Sequence, residues 1–114
     1  HMQAAKRVLR YLKGTQHWKV RFDGNADLTL VGYSDSDWGG DLDTRRSTSG
    51  YVFKMCNAPV SSKSKQQKMV TISSTEAEYV AGSKAAQDAA YLRQILADLG
   101  FSQTEPTILY EDNE

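Results

Sequence analysis

Leu28-Thr29-Leu30-Val31-Gly32-Tyr33-Ser34-Asp35 is the stretch on which the fold turns. Its apolar and β-branched residues predict a strand, and the polar run through Gly39-Gly40 to Ser49 predicts where that strand ends. Upstream, Trp18, Val20 and Phe22 alternate with Lys19 and Arg21, and Asp23-Gly24-Asn25 supplies turn residues. The reading there is a hairpin that feeds residues 28–35. Downstream, Gly50-Tyr51-Val52-Phe53-Lys54-Met55 predicts a further strand, and Asn57-Ala58-Pro59 a break after it. Val60 to Lys68, rich in hydroxyls, amides and lysines, reads as a polar loop leading into a strand at Met69-Val70-Thr71-Ile72.

From Ser73 or Ser74 a helical pattern runs to Leu99, with Ala77, Ala81, Ala85, Leu92, Ile95, Leu96 and Leu99 facing inward and Gly100 at the stop. Thr107-Ile108-Leu109-Tyr110 then predicts a short strand that delivers Glu111 and Asp112. Three antiparallel strands, a helical crossover and a strand parallel to the one carrying Asp35 make an α/β mixed sheet. Asp35 and Asp112 would both lie at the C-terminal ends of neighbouring strands, where such sheets place ligands. Residues 3–13 form a separate basic amphipathic pattern, with Ala5, Val8, Leu9 and Leu12 on one face and Gly14 as the cap. Packing of that face on the domain is expected ahead of nucleic-acid or membrane binding.

With 114 residues the chain is one domain at most. Its 14 basic and 14 acidic side chains cancel, so any pull on nucleic acid must come from local clusters. Cys56 is the only cysteine, which excludes an intrachain disulfide and suits a reducing, intracellular compartment, cytoplasmic or nuclear. His1-Met2 looks like a cloning remnant, leaving His17 as the one native histidine and excluding a Cys/His zinc cluster. No run of 18 apolar residues suggests a membrane partner.

The chemistry-bearing candidates are acids. Carboxylates held on rigid elements can bind two Mg2+ ions and direct phosphodiester hydrolysis. Each has a structural rival: Asp35 and Asp37 as turn formers, Glu78 as the glutamate of a capping box with Thr75. Ser73 with Glu76 offers the same box in another frame, which would free Glu78. An EF-hand reading of residues 35–46 fails, because Gly39 and Arg46 stand where calcium ligands are required. Lys63, Lys65 and Lys68, with Arg45 and Arg46, could contact phosphates or could form a solvated surface. Trp18 and Trp38 could stack on nucleotides but are read as packing residues.

Gly32-Tyr33-Ser34-Asp35-Ser36-Asp37-Trp38-Gly39-Gly40-Asp41, Asp43-Thr44-Arg45-Arg46-Ser47-Thr48-Ser49-Gly50-Tyr51, Ser73-Ser74-Thr75-Glu76-Ala77-Glu78-Tyr79 and Tyr110-Glu111-Asp112-Asn113 together resemble the ribonuclease H domain of copia-type LTR retrotransposons. Residues 5–15 are similar to the junction that precedes that domain. The resemblance divides the chain into the remnant at 1–2, a junction helix and strand at 3–27, and an incomplete ribonuclease H-like domain at 28–114. It implies an Mg2+-dependent (alternatively Mn2+-dependent) endonuclease that cleaves the RNA strand of RNA/DNA hybrids, with Asp35, Glu78 and Asp112 as metal-binding catalytic acids. Ser73, Ser74 and Thr75 would meet the hybrid's minor groove, and their hydroxyls could reach 2′-OH groups.

The family's fourth acid lies beyond the residues present here. Impaired hydrolysis is therefore expected, with a catalytically inactive module that binds nucleic acid or a protein as the alternative. An exposed edge at Thr107–Tyr110, with bare apolar surface near Leu92–Leu99, further implies a homo-oligomer.

Overall fold

The computed structural model describes residues 1–112; Asn113, the last residue of the Tyr110-Glu111-Asp112-Asn113 match, lies outside them together with Glu114. The elements run α1 (Met2–Thr15), β1 (Val31–Asp37), β2 (Thr48–Met55), β3 (Ala58–Gln66), α2 (Ser74–Asp98) and β4 (Ile108–Glu111). They form one sheet in the order β3-β2-β1-β4. β1, β2 and β3 are successively antiparallel, and β4 returns through α2 to lie parallel to β1. This is the mixed α/β sheet that the sequence predicts, with one strand in a different place.

That strand is β3. The chain reverses at Cys56-Asn57, where φ is +52° and +60°, the paired left-handed conformation of a two-residue hairpin turn. The turn folds Ala58 directly back onto Met55, so the strand begins at once and runs through the stretch read as a polar loop. Lys63 and Lys65 therefore sit on a strand. Met69-Val70-Thr71-Ile72 is not a strand. β2 has β1 on one side and β3 on the other, so β3 takes the place beside β2 that a strand at 69–72 was expected to fill, and local preference yields to pairing. Met69, Val70 and Ile72 point to solvent, whereas Thr71 is buried against the Ser47 hydroxyl at 2.9 Å.

The upstream hairpin is also corrected. Residues 18–30 contain no strand, and Trp18, Val20 and Phe22 are exposed. Two points tie this segment to the sheet: Asp23 N donates to Cys56 O at 3.0 Å in the β2–β3 turn, and the Gln103 amide holds residues 28–30, Leu30 N donating to its Oε1 at 2.9 Å and its Nε2 to Leu28 O at 3.1 Å. α1 extends through Gly14 to Thr15, so that glycine is not its cap. Ala5, Val8, Leu9 and Leu12 are all exposed, contrary to the expected packing of that face. Trp18 instead meets Tyr11 edge-on at 6.3 Å.

α2 starts as the second capping frame predicts. Ser73 Oγ accepts from Glu76 N at 3.1 Å, and Glu76 Oε2 accepts from Ile72 N at 2.6 Å. It stops at Gly100 (φ +87°), with Phe101 N on Leu96 O and Gly100 N on Ala97 O, the paired bonds that a left-handed glycine after a helix permits. Ala77, Ala81 and Ala85 recur every four residues and are fully buried, so this half of the helix approaches the sheet closely. The core joins Leu30, Tyr51, Phe53 and Ala85, flanked by Ala89, Leu92, Leu96 and Leu109. Leu99, read as inward-facing, is exposed. Gly32 faces this core: a Cβ there would come within 2.6 Å of Phe53 and 2.8 Å of Leu109. The Arg93 guanidinium holds the link to β4, donating to the carbonyls of Gln103 and Glu105 and to the Thr107 hydroxyl.

Candidate active site

Side chains of a strand alternate between the two faces of its sheet. In β1, Gly32, Ser34 and Ser36 share the α2 side, and Tyr33, Asp35 and Asp37 share the other. On the α2 side each serine meets a glutamate. Ser36 Oγ donates to Glu78 Oε1 at 2.7 Å, and Ser36 N donates to the same oxygen at 3.3 Å. Ser34 Oγ donates to Glu111 Oε1 at 3.1 Å. Charge-assisted bonds of this kind are stronger than neutral ones.

Among the described residues β4 pairs with β1 as far as Ser34↔Glu111. Beyond that register Ser36 N turns to a side chain, that of Glu78 on the second turn of α2. Glu78 is 9% exposed, and its Oε2 is buried without a partner among the described residues. An unpaired buried carboxylate oxygen is costly, so this oxygen is the strongest sign of an additional ligand.

Asp35, next to Ser36 in the chain, is exposed on the opposite face. Asp112 comes directly after Glu111, the last residue of β4, as Asp35 comes directly after Ser34 within β1, and Ser34 pairs with Glu111. The backbone thus brings the three predicted acids to one end of the sheet. Their side chains are not gathered: among the described residues no three His, Cys, Asp or Glu groups are placed to hold one ion. Oxygen-only donors suit a hard divalent cation, and the lone Glu78 Oε2 fits one, but Glu78 and Asp35 lie on different faces.

Glu111 was not among the predicted site residues. It lies against Gly82 of α2, where a Cβ would overlap its carboxylate. The repeated Ser-x-Ser on β1 was the available signal. Of the predicted nucleic-acid contacts, Ser73, Ser74 and Thr75 are exposed at the start of α2. Arg45 and Arg46 occupy the β1–β2 loop, Arg45 with φ +56°. That loop is built on Asp41, whose carboxylate accepts from the Asp43 and Thr44 amides and from Gln66 Nε2. These bonds, led by the Thr44 amide, hold the Asp41 carboxyl below its usual range. Trp38, read as a packing residue, is 52% exposed, held by its Nε1 donating to Thr71 O.

Known proteins resemble this chain along its length. The Pol polyprotein of transposon RE1 of Arabidopsis thaliana, named as retrovirus-related, is 42% identical over 113 residues, which is 99% of this chain and 8% of that protein. The corresponding polyprotein of transposon TNT 1-94 of Nicotiana tabacum is 40% identical over 114 residues, all of this chain and 8% of that one. The chain is a homologue of retrovirus-related Pol polyproteins. A protein of Plasmopara viticola named secreted RxLR effector protein 161 is 54% identical over 92 residues, 81% of this Pol-related chain and 65% of its own length. The Pol-related chain thus spans less than two thirds of these relatives. No family model and no solved structure matches it. No helix among the described residues is long and apolar enough to cross a membrane.

Proposed function

We propose that this Pol-related chain carries a ribonuclease H function, the Mg2+-dependent hydrolysis of the RNA strand of RNA/DNA hybrids. The observation that carries the reading is the buried Glu78 carboxylate, held by Ser36 through Oε1 with Oε2 unpartnered among the described residues. Homology to Pol polyproteins supplies the polymer class. Asp35, Glu78 and Asp112 would hold Mg2+, or Mn2+ in its place. When bound, the metal supplies an activated water and a counter-charge for the leaving oxygen. The chain's own residues do the rest. Ser36 orients Glu78 through two bonds to one oxygen, leaving the other available. The bond between Ser34 and Glu111 joins β4 to β1 immediately before Asp35 and Asp112 in sequence. The hydroxyls of Ser73, Ser74 and Thr75 offer contacts to a ribose-bearing groove.

Two measurements test this. Mg2+ titration followed by the Ser36 and Glu78 amide resonances should show saturable shifts that Glu78→Gln and Asp35→Asn each weaken. An end-labelled hybrid should be cut only with the metal present and only by the unsubstituted chain. Cleavage indifferent to Glu78→Gln refutes the assignment of the acids. A second reading, a non-catalytic module that binds nucleic acid or protein, draws on the separation of the acids across the sheet. Hybrid binding without metal-dependent shifts or cleavage would select it.

A further inference from the structure

α2 packs across β1, β2 and β4 and leaves β3 uncovered. In the hairpin register Lys63 lies opposite Tyr51 and Lys65 opposite Ser49. Tyr51 and Ser49 are buried on the α2 side, so the two lysines project from that same side. Such positions ordinarily carry apolar residues that meet a helix; here the helix stops short and ammonium groups border the space. The result is a cleft of about 450 Å³ between β3 and α2. Lys63 and Lys65 line it from β3, Lys68 from the link and Lys84 from α2, together with the acids Glu76 and Asp88. Glu76 is turned to the Ile72 amide. Four ammonium groups against two carboxylates make the cleft net positive on a chain of zero net charge.

We propose that this cleft seats the phosphate backbone of one strand of a nucleic-acid duplex, with Lys84 as its contact from the helix; the choice of polymer rests on the hydrolase reading above. Inward-pointing lysines also keep an edge strand from pairing with another chain, and that role alone would account for Lys63 and Lys65. It does not account for Lys68 and Lys84, which lie off β3. Lysines from three segments converging on one cleft fit a polyanion. Glu76 borders the cleft and Glu78 follows two residues later, about 200° around the helix. A duplex straddling the start of α2 would rest one backbone in the cleft and turn the other towards the acids.

Anisotropy of a labelled RNA/DNA hybrid, titrated with the whole chain at several salt concentrations between about 50 and 200 mM, tests this. Each phosphate contact contributes about 0.7 to 0.9 to the slope of log affinity against log salt. Lys84→Gln and Lys63→Gln should each flatten the slope by about that amount, Lys84→Arg should restore it, and Lys19→Gln, outside the cleft, should leave it alone. These residues are exposed, and far-UV circular dichroism verifies that the variants fold. An unchanged slope for Lys84→Gln overturns the proposal, as does a Lys63→Gln variant whose only change is stronger self-association in sedimentation. Glu78→Gln separates the two readings. Lysine-dependent binding without Glu78-dependent cleavage sinks the hydrolase and keeps the cleft, and the converse pair of results sinks the cleft alone.

Discussion

Gly82→Ala should reveal whether Glu111 is seated as described. In a helix interior, alanine is ordinarily favoured over glycine by about 0.8 to 1 kcal/mol. At position 82 the added Cβ would overlap the Glu111 carboxylate, which ends a flexible side chain and can swing away. Swinging away breaks the 3.1 Å bond from Ser34 Oγ and strands a hydroxyl that is only 5% exposed. A hydrogen bond to a charged group contributes about 1.5 to 3 kcal/mol. The loss exceeds the gain, so Gly82→Ala should destabilise the fold by about 0.5 to 2 kcal/mol, reversing the sign that helix preference alone predicts. In a Glu111→Ala background the obstacle is gone, and the same substitution should stabilise by about 1 kcal/mol. Urea unfolding of the four proteins closes the cycle, with a coupling of about 1.5 to 3 kcal/mol. A Gly82→Ala protein more stable than its parent by the full helical increment would refute the Glu111 placement.

Phe53, fully buried between Gly32 and Tyr51, should cost about 3 to 5 kcal/mol when changed to Ala, measured by the same unfolding assay. The bonds that lower the Asp41 carboxyl below its ordinary 3.8 favour its ionised form in the folded chain. Their ordering of residues 41–46 should be complete above that value and fade as pH falls through the lowered one; acid titration of the Asp43 and Thr44 amide resonances, with Asp41→Asn as the variant lacking the transition, measures it. β4 is an open edge with Ile108 and Tyr110 exposed, so sedimentation over a wide concentration range should show self-association that Ile108→Lys weakens. A monomer throughout, indifferent to that change, would remove the proposed homo-oligomer.

The elements legible in the sequence are those whose side chains announce their own burial. The alanine and leucine spacing of α2 and its glycine stop predicted both helix ends within a residue or so, and the apolar runs at 31–35, 50–55 and 108–110 are strands. β3 was hidden because it is held by backbone pairing and a turn, while its side chains are serine, lysine and glutamine. Cys56 in a left-handed conformation gave no glycine to mark that turn. Met69–Ile72 and Trp18–Phe22 failed in the opposite way, strand-like in composition but paired with no strand. Around the candidate site, the acids stand out as residue types at element ends. Their partners do not, since Ser36 with Glu78, and Ser34 with Glu111 and Gly82, meet only after strand register and helix placement are set.

A continuous sheet is a wall: hydrogen bonds fill the gaps between its strands, and no side chain crosses from one face to the other. Among the described residues the pairing of β4 stops at Glu111, and Glu78 takes the place beside Ser36. That short pairing therefore acts as a gauge. Backbone paired beside Ser36 would occupy its N–H and leave Glu78 buried with nothing to bind. Changes that put a strand there should thus displace Glu78 while adding hydrogen bonds to the sheet, so here a shorter pairing serves the site better than a longer one.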